Sequence, residues 1–165
     1  MLATEAATAH GTGRSALALT SWFILSFTAA VMGGFFMPGD WYASLRKPGW
    51  NPPNWIFGPV WTILYAMMAI AAWLVWKRGG FGGQRIALSL FLLQWLFNAL
   101  WSPLFFGLRN PTLGLLDITL LWLVLAATVV AFWKVRPAAG AMLLPYLAWV
   151  TFAGTLNLAL WRLNP

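Results

Sequence analysis

The sequence predicts an all-α integral membrane protein, a bundle of five transmembrane helices with one long loop between the first two. Of its 165 residues, 61% are hydrophobic and 8% are charged, and the mean hydropathy is +0.75. A soluble domain is close to half apolar and a quarter charged, so this chain has too few charges to cover itself in water. Five apolar runs of about 20 residues each have the length that crosses ~30 Å of hydrocarbon as a helix.

The five runs divide the chain into a tail and one domain. Residues 1–14 are small and polar, and we expect them to form a disordered tail. The run after Arg14 lacks a small-x-small cleavage site, which argues against a cleaved signal peptide. Residues 15–165 are predicted to form a single transmembrane domain, whose helices we place at about 16–37, 56–76, 86–107, 113–133 and 138–161.

The connections between the runs differ in length. Four glycines within residues 79–83, together with Pro111 and Pro137, mark short turns between the later runs. The first connection, about residues 38–54, is long, and long loops in compact proteins are often functional. Residues 47–61 hold four prolines and three tryptophans, which a simple transmembrane helix does not accommodate.

The net charge of +7 indicates membrane topology and no nucleic acid partner, because the basic residues lie between the apolar runs. Six of the ten would share one side of the membrane and four the other, which favours a cytoplasmic N-terminus and an external first loop. Cysteine is absent and His10, the one histidine, lies in the tail, so we expect no metal site, no required cofactor and no histidine-based catalysis. Asp117 is interpreted as a cap or counter-charge, or as a proton-relay group.

Polar and aromatic stripes mark the faces that point into the bundle. Gln94, Asn98 and Ser102 recur at a spacing of four, and Trp149, Ala153 and Leu156 share one face of the fifth run. Each stripe is consistent with a cavity wall or with ordinary interhelical contact. The face with Phe57, Gly58, Trp61 and Tyr65 is consistent with a site or with interfacial anchoring.

Three blocks resemble the tryptophan-rich sensory protein family, whose mitochondrial members are called the translocator protein or peripheral benzodiazepine receptor. They are residues 41–65 (WYASLRKPGWNPPNW and onward), residues 97–107 (FNALWSPLFFG) and residues 144–162 (LPYLAW through TLNLALWR). The resemblance implies a five-helix bundle, often a homodimer, with one ligand cavity that opens toward the first loop. It implies binding of porphyrins such as protoporphyrin IX, and of sterols and benzodiazepine or isoquinoline-carboxamide drugs.

The resemblance also implies a set of ligand-binding residues, with the first loop as a lid whose prolines lower the entropy lost on closing. The set comprises Tyr42, Trp50, Asn54, Phe57, Gly58, Trp61, Asn98, Trp149, Ala153 and Leu156. Arg46 or Lys47 is a candidate partner for a porphyrin propionate. The sterol pattern of animal members expects a tyrosine where this chain has Leu158, so porphyrin is the favoured ligand over sterol.

The leading hypothesis is therefore a multi-pass receptor for porphyrins in a bacterial cell membrane, with a role in regulating tetrapyrrole metabolism or transport. Whether it is an enzyme stays open. The alternatives are light-dependent degradation of protoporphyrin, in which Trp149 would be the oxidisable neighbour of the pigment, and transport of tetrapyrroles or lipids.

Overall fold

The computed structural model describes residues 2–165, with side chains from residue 13 onward, and all regular secondary structure in that part of the chain is helical. Its α-helices are α1 (Leu2–Phe35), α2 (Asp40–Ser44), α3 (Phe57–Trp76), α4 (Gly80–Gly83), α5 (Arg85–Ser102), α6 (Pro111–Val135) and α7 (Pro137–Leu163). A 3₁₀ turn, Asn54–Ile56, leads into α3, and a π-helical turn, Pro103–Gly107, continues α5. Five segments are long and apolar enough to span a membrane, which confirms the predicted fold class.

The predicted tail lies almost wholly in residues 1–12, whose side chains are not described, and residue 1 lies outside the described chain. The disordered tail therefore stays a prediction, as do the homodimer and the side of the membrane on which the N-terminus lies.

The five long helices form a closed ring in the order α1, α3, α7, α6, α5, since each packs against the next and α5 packs against α1. Helices α1 and α5 run parallel, as shown by contacts between residues that differ by nearly the same number along both helices. Trp22 meets Phe91 with ring centroids 5.4 Å apart, and the Trp95 Nε1 donates to the Leu25 carbonyl oxygen at 2.8 Å. The turns between successive spans therefore place α1, α3, α5, α6 and α7 in alternating directions across the membrane.

Proline and an asparagine cap set the beginnings of the last two spans. Pro111 and Pro137 occupy the first turns of α6 and α7, where a missing N–H costs nothing. The Asn110 side chain accepts from the backbone N–H groups of Thr112 and Leu113, both at 3.0 Å. These starts precede the apolar runs, so Pro111–Val135 and Pro137–Leu163 are longer than the predicted 113–133 and 138–161.

The π-helical turn at the end of α5 is the main local departure from a regular helix. The N–H of Leu108 donates to the carbonyl of Pro103, and that of Asn110 to the carbonyl of Phe105, both five residues back. A π turn often marks a functional position in a helix. Here it places Phe105 in full burial beside the short helix α2 of the first loop.

Candidate functional site

An aromatic seam runs between α3 and α7, from the first loop toward the centre of the bundle. On the loop side, Trp50 meets Phe152 with ring centroids 5.9 Å apart, Phe152 meets Trp149 at 5.5 Å, and Trp149 meets Phe57 at 5.7 Å. One turn deeper, Trp61 lies 6.0 Å from Tyr146 and stacks on Tyr65 at 5.3 Å. We call these seven residues the aromatic seam: Trp50, Phe57, Trp61, Tyr65, Tyr146, Trp149 and Phe152. Edge-to-face and offset contacts at these distances are the favoured geometries for aromatic pairs.

Helical periodicity explains why these rings meet. Phe57, Trp61 and Tyr65 follow at a spacing of four on α3, while Tyr146, Trp149 and Phe152 follow at a spacing of three on α7. The two helices run antiparallel, so Phe57 at the start of α3 meets Trp149, and Trp61, one turn deeper, meets Tyr146. The outer part of the seam is half-buried, which leaves its edge accessible from beneath the first loop.

A buried hydrogen-bonded triad closes the inner end of the seam. The Tyr65 hydroxyl donates to the Asn98 Oδ1 at 2.9 Å, and the Asn98 Nδ2 donates to the Tyr146 hydroxyl at 2.9 Å. Asn98 thereby joins α3, α5 and α7 with one side chain. Asn98, which was predicted as a site residue, lies at the floor of the seam, where both ends of its amide have protein partners.

Trp149 has a polar group that lacks a protein partner. Its indole Nε1 is buried and makes no hydrogen bond. Buried N–H groups are satisfied in the great majority of cases, and an unsatisfied one calls for an explanation. Because the Trp149 ring is part of the seam, this N–H is a donor available to a ligand acceptor at the site.

The first loop docks on an aromatic platform at the end of α5. Trp101, Phe105 and Phe106 form this loop seat. Phe105 stacks on Trp101 at 4.9 Å and meets the rings of Trp41 and Tyr42 at 5.7 and 6.3 Å. The Trp101 Nε1 donates to the Asn157 Oδ1 at 3.1 Å, which ties the seat to α7.

Tyr42 is the central residue of the docked loop. Its side chain is buried with Phe105 and Leu156 in a second, smaller hydrophobic cluster. Its hydroxyl donates to the Asn51 Oδ1 at 3.3 Å, and the Lys47 Nζ lies 4.7 Å from its ring centroid. Burial raises the pKa of Tyr42, and the hydrogen bond to Asn51 partly opposes that increase.

The predicted site residues therefore divide between two neighbouring groups. Trp50, Phe57, Trp61 and Trp149 belong to the seam, and Asn98 lies at its floor. Tyr42 and Leu156 lie in the cluster under the loop, and Ala153, partly buried on α7, packs against the main core.

Two predicted residues, Asn54 and Gly58, lie exposed where the loop enters α3. A Cβ added to Gly58 would have open space around it, with no atom within 4 Å. Both residues lie at the surface where the first loop joins α3, and we call this position the entrance.

Two cavities open at the surface on either side of this region. A groove of about 510 Å³ lies within the first loop and is lined by Pro38, Gly39, Tyr42, Ala43, Lys47, Asn51, Pro52, Pro53 and Asn54. A second groove of about 330 Å³ lies on α7 and is lined by Thr155, Leu158, Ala159, Arg162 and Leu163. At the inner end of the site, by contrast, the aromatic rings of the seam touch one another and occupy the space between α3 and α7.

Several contributors to this region were missing from the predicted set. Tyr65 and Tyr146 lie one helical turn from predicted residues, so their spacing was a usable signal. For Phe152 and the residues of the loop seat, the sequence offered no signal beyond their aromatic side chains. Gln94, Ser26 and Asp117 are buried with at least one polar atom unpartnered, and Asp117 occupies no helix cap.

Comparison with known proteins finds relatives over most of the chain. The model of the TspO/MBR family matches residues 22–162. Protein CrtK of Rhodobacter capsulatus is 43% identical over 148 residues, which cover 87% of this chain and 91% of that protein. The human translocator protein is 44% identical over 138 residues (81% and 82%). A tryptophan-rich sensory protein of Cereibacter sphaeroides is 42% identical over 135 residues (82% and 84%). The resemblance predicted from the tryptophan-rich blocks is confirmed, and this chain belongs to the TspO/MBR family.

Proposed function

We propose that this membrane protein is a receptor for flat, hydrophobic ligands, with porphyrins as the preferred class, and that the ligand inserts along the aromatic seam beneath the first loop. The observation that carries the proposal is the buried, unpartnered Nε1 of Trp149 within a run of contacting aromatic rings. A porphyrin offers a large π face for the rings and acceptor atoms for the indole N–H.

The contacts within the seam are of a kind that a ligand can replace. Each aromatic pair contributes roughly 0.5–1.5 kcal/mol beyond its buried area, and a flat ligand inserted between Phe57 and Trp149 restores comparable contacts to both rings. The triad of Tyr65, Asn98 and Tyr146 is held by hydrogen bonds, so it sets the depth that the ligand reaches.

The charged end of the ligand belongs at the first loop. The Lys47 Nζ already donates to the carbonyl oxygens of Ala43 and Leu45, at 3.1 and 3.3 Å. The Arg46 side chain is exposed. Arg46 is therefore the better candidate for a charge-assisted bond to a propionate.

The proposal is tested by titrating the protein with protoporphyrin IX in the dark and measuring the quenching of tryptophan fluorescence. We expect Trp149→Phe to weaken binding by about 2- to 12-fold, because an aromatic ring is kept but the hydrogen bond of the indole N–H is lost. Trp122→Phe is the matched control: Trp122 is exposed on α6 and donates to the Thr151 Oγ1 outside the seam. Equal affinities for the two variants and the unaltered protein would rule out the seam as the site.

Light-dependent degradation of porphyrin is a second candidate, favoured by the half-buried position of Trp149 within the seam. Excited porphyrin would pass its energy to dissolved dioxygen, and both oxygen atoms of that dioxygen would add to a double bond of the porphyrin or of the indole. Absorption spectra of the complex in light, under air and under argon, test this idea. It requires a spectral change that needs light and air and that is smaller in Trp149→Phe, where addition to the indole is lost. Identical spectra in light and dark leave binding as the function.

A further inference from the structure

The side chain of Asn164, directly after α7, binds the backbone of the first loop. Its Oδ1 accepts from the Arg46 N–H at 2.9 Å, and its Nδ2 donates to the Arg46 carbonyl oxygen at 3.0 Å. The same Nδ2 donates to the Leu160 carbonyl oxygen at 2.8 Å. One amide thus satisfies both backbone polar groups of a single loop residue and is itself oriented by the last turn of α7.

The position of Arg46 makes this contact effective. Arg46 lies between α2, which carries Tyr42, and the proline-rich segment that carries Trp50. The backbone is extended at Leu45, and Pro48 fixes φ shortly after Arg46, so the segment is stiff on both sides. Holding Arg46 therefore restricts the docking of Tyr42 on the loop seat and of Trp50 on the seam.

The contact also links the loop to one particular helix. Asn164 follows α7, and α7 carries Trp149, Ala153 and Leu156 on the wall of the candidate site. The loop is thereby held in register with that wall. Both hydrogen bonds to Arg46 are exposed, so water competes for them and the contact can open without unfolding the bundle.

We propose that Asn164 is a positioning residue that holds the first loop closed over the seam and so sets the rate at which a bound ligand leaves. The ligand part of this inference rests on the proposed function above. The loop part does not, because the hydrogen bonds are present in the protein alone.

The loop part is tested without ligand. The chain has no cysteine, so cysteines introduced at the exposed residues Ser44 and Thr155 accept spin labels at those two sites alone. We expect a narrow distribution of distances between the labels in the unaltered background and a broad, longer one in Asn164→Ala. Asn164→Asp keeps the acceptor for the Arg46 N–H but places a carboxylate oxygen against the Arg46 carbonyl, so it broadens the distribution as well.

Asn110→Ala is the matched control. It removes two side-chain hydrogen bonds from the first turn of α6 at the same face of the membrane, and neither of them involves the loop. We expect its distance distribution to stay narrow. An unchanged distribution in Asn164→Ala, or equal broadening in Asn110→Ala, would overturn the proposal.

The ligand part uses protoporphyrin IX in stopped-flow measurements. Loss of two exposed hydrogen bonds destabilises the closed loop by a factor of about 5 to 30. We therefore expect the dissociation rate of protoporphyrin IX to rise by that factor in Asn164→Ala and to stay unchanged in Asn110→Ala. A broadened loop with an unchanged dissociation rate would overturn the role in ligand release. If the unaltered protein failed to bind porphyrin while the loop responded as described, the proposed function would fail and the loop contact would stand.

Discussion

A single methyl group at Gly114 tests whether the loop seat is packed as the structure shows. A Cβ added to this residue of α6 would lie 2.6 Å from the Phe105 Cδ2, 3.1 Å from the Phe105 Cβ and 2.9 Å from the Asn157 Oδ1. A Cβ atom essentially never lies within 3.0 Å of a non-bonded heavy atom, so Gly114→Ala forces at least one neighbour to move.

Neither neighbour can move freely. Phe105 is fully buried and stacks on Trp101, and the Asn157 Oδ1 accepts the hydrogen bond of the Trp101 indole. Overpacking of this kind costs about 1–3 kcal/mol. The gain in helix propensity from glycine to alanine returns up to about 1 kcal/mol. The net loss is about 0–2 kcal/mol, which corresponds to a fall in Tm of up to roughly 8 °C for a chain of this length.

Gly154 provides the matched control at the same helix pair. A Cβ there would meet its nearest neighbour, the Ile118 Cγ2, at 4.0 Å, which is an ordinary contact. Gly154→Ala should therefore leave the Tm unchanged or raise it slightly. Thermal unfolding of both variants in detergent, followed by circular dichroism, measures the difference. A Gly114→Ala protein that melts at or above the temperature of Gly154→Ala would show that Phe105 and Asn157 are not packed against α6 as described.

Three further outcomes are expected. Asn98→Leu should lower stability by about 1–3 kcal/mol in thermal unfolding, because two buried tyrosine hydroxyls lose their partner, and an unchanged Tm would contradict the triad. Gly58→Leu should keep the Tm and weaken protoporphyrin IX binding, since the added side chain enters open space at the entrance; undiminished affinity would remove Gly58 from the site. The raised pKa of Tyr42 means that the released loop loses its phenol proton at a lower pH than the docked loop, so docking weakens as the pH rises above about 10. Spin-label distances at rising pH should show this release, and they should show it less in Tyr42→Phe, which has no phenol proton to lose at this position.

The fold was predictable because its signals are local. Apolar length identified the five spans, and Pro111 and Pro137 marked the turns that precede α6 and α7. Helical periodicity also placed Phe57 and Trp61 on one face of α3 and Trp149 and Ala153 on one face of α7. These conclusions need only the identity of residues within two or three turns of each other.

The partners of those faces were not predictable in the same way. Periodicity assigns Asn98 to the interior, but its spacing is consistent both with a residue of a cavity wall and with an interhelical contact. The structure distinguishes the two by placing Tyr65 and Tyr146 against it. The π turn at Pro103–Gly107 depends on crowding against α6 and the loop, which no local pattern records. Asn164 lies beyond the last apolar run, where the sequence pattern assigns it no role. Its contact is with Arg46, 118 positions earlier in the chain.

The two ends of the aromatic seam differ in what holds them, and that difference indicates where the molecule can open. Near the loop, Trp50 and Phe152 meet by an edge-to-face contact and Phe57 meets Trp149 in the same way, while the Trp149 N–H has no partner. At the floor, Asn98 uses both ends of its amide. Ring contacts exchange readily for ligand contacts, whereas buried hydrogen bonds are costly to leave unmade. If the proposed function holds, we therefore expect a ligand that enters from the first loop to separate the outer rings first and to stop at the triad.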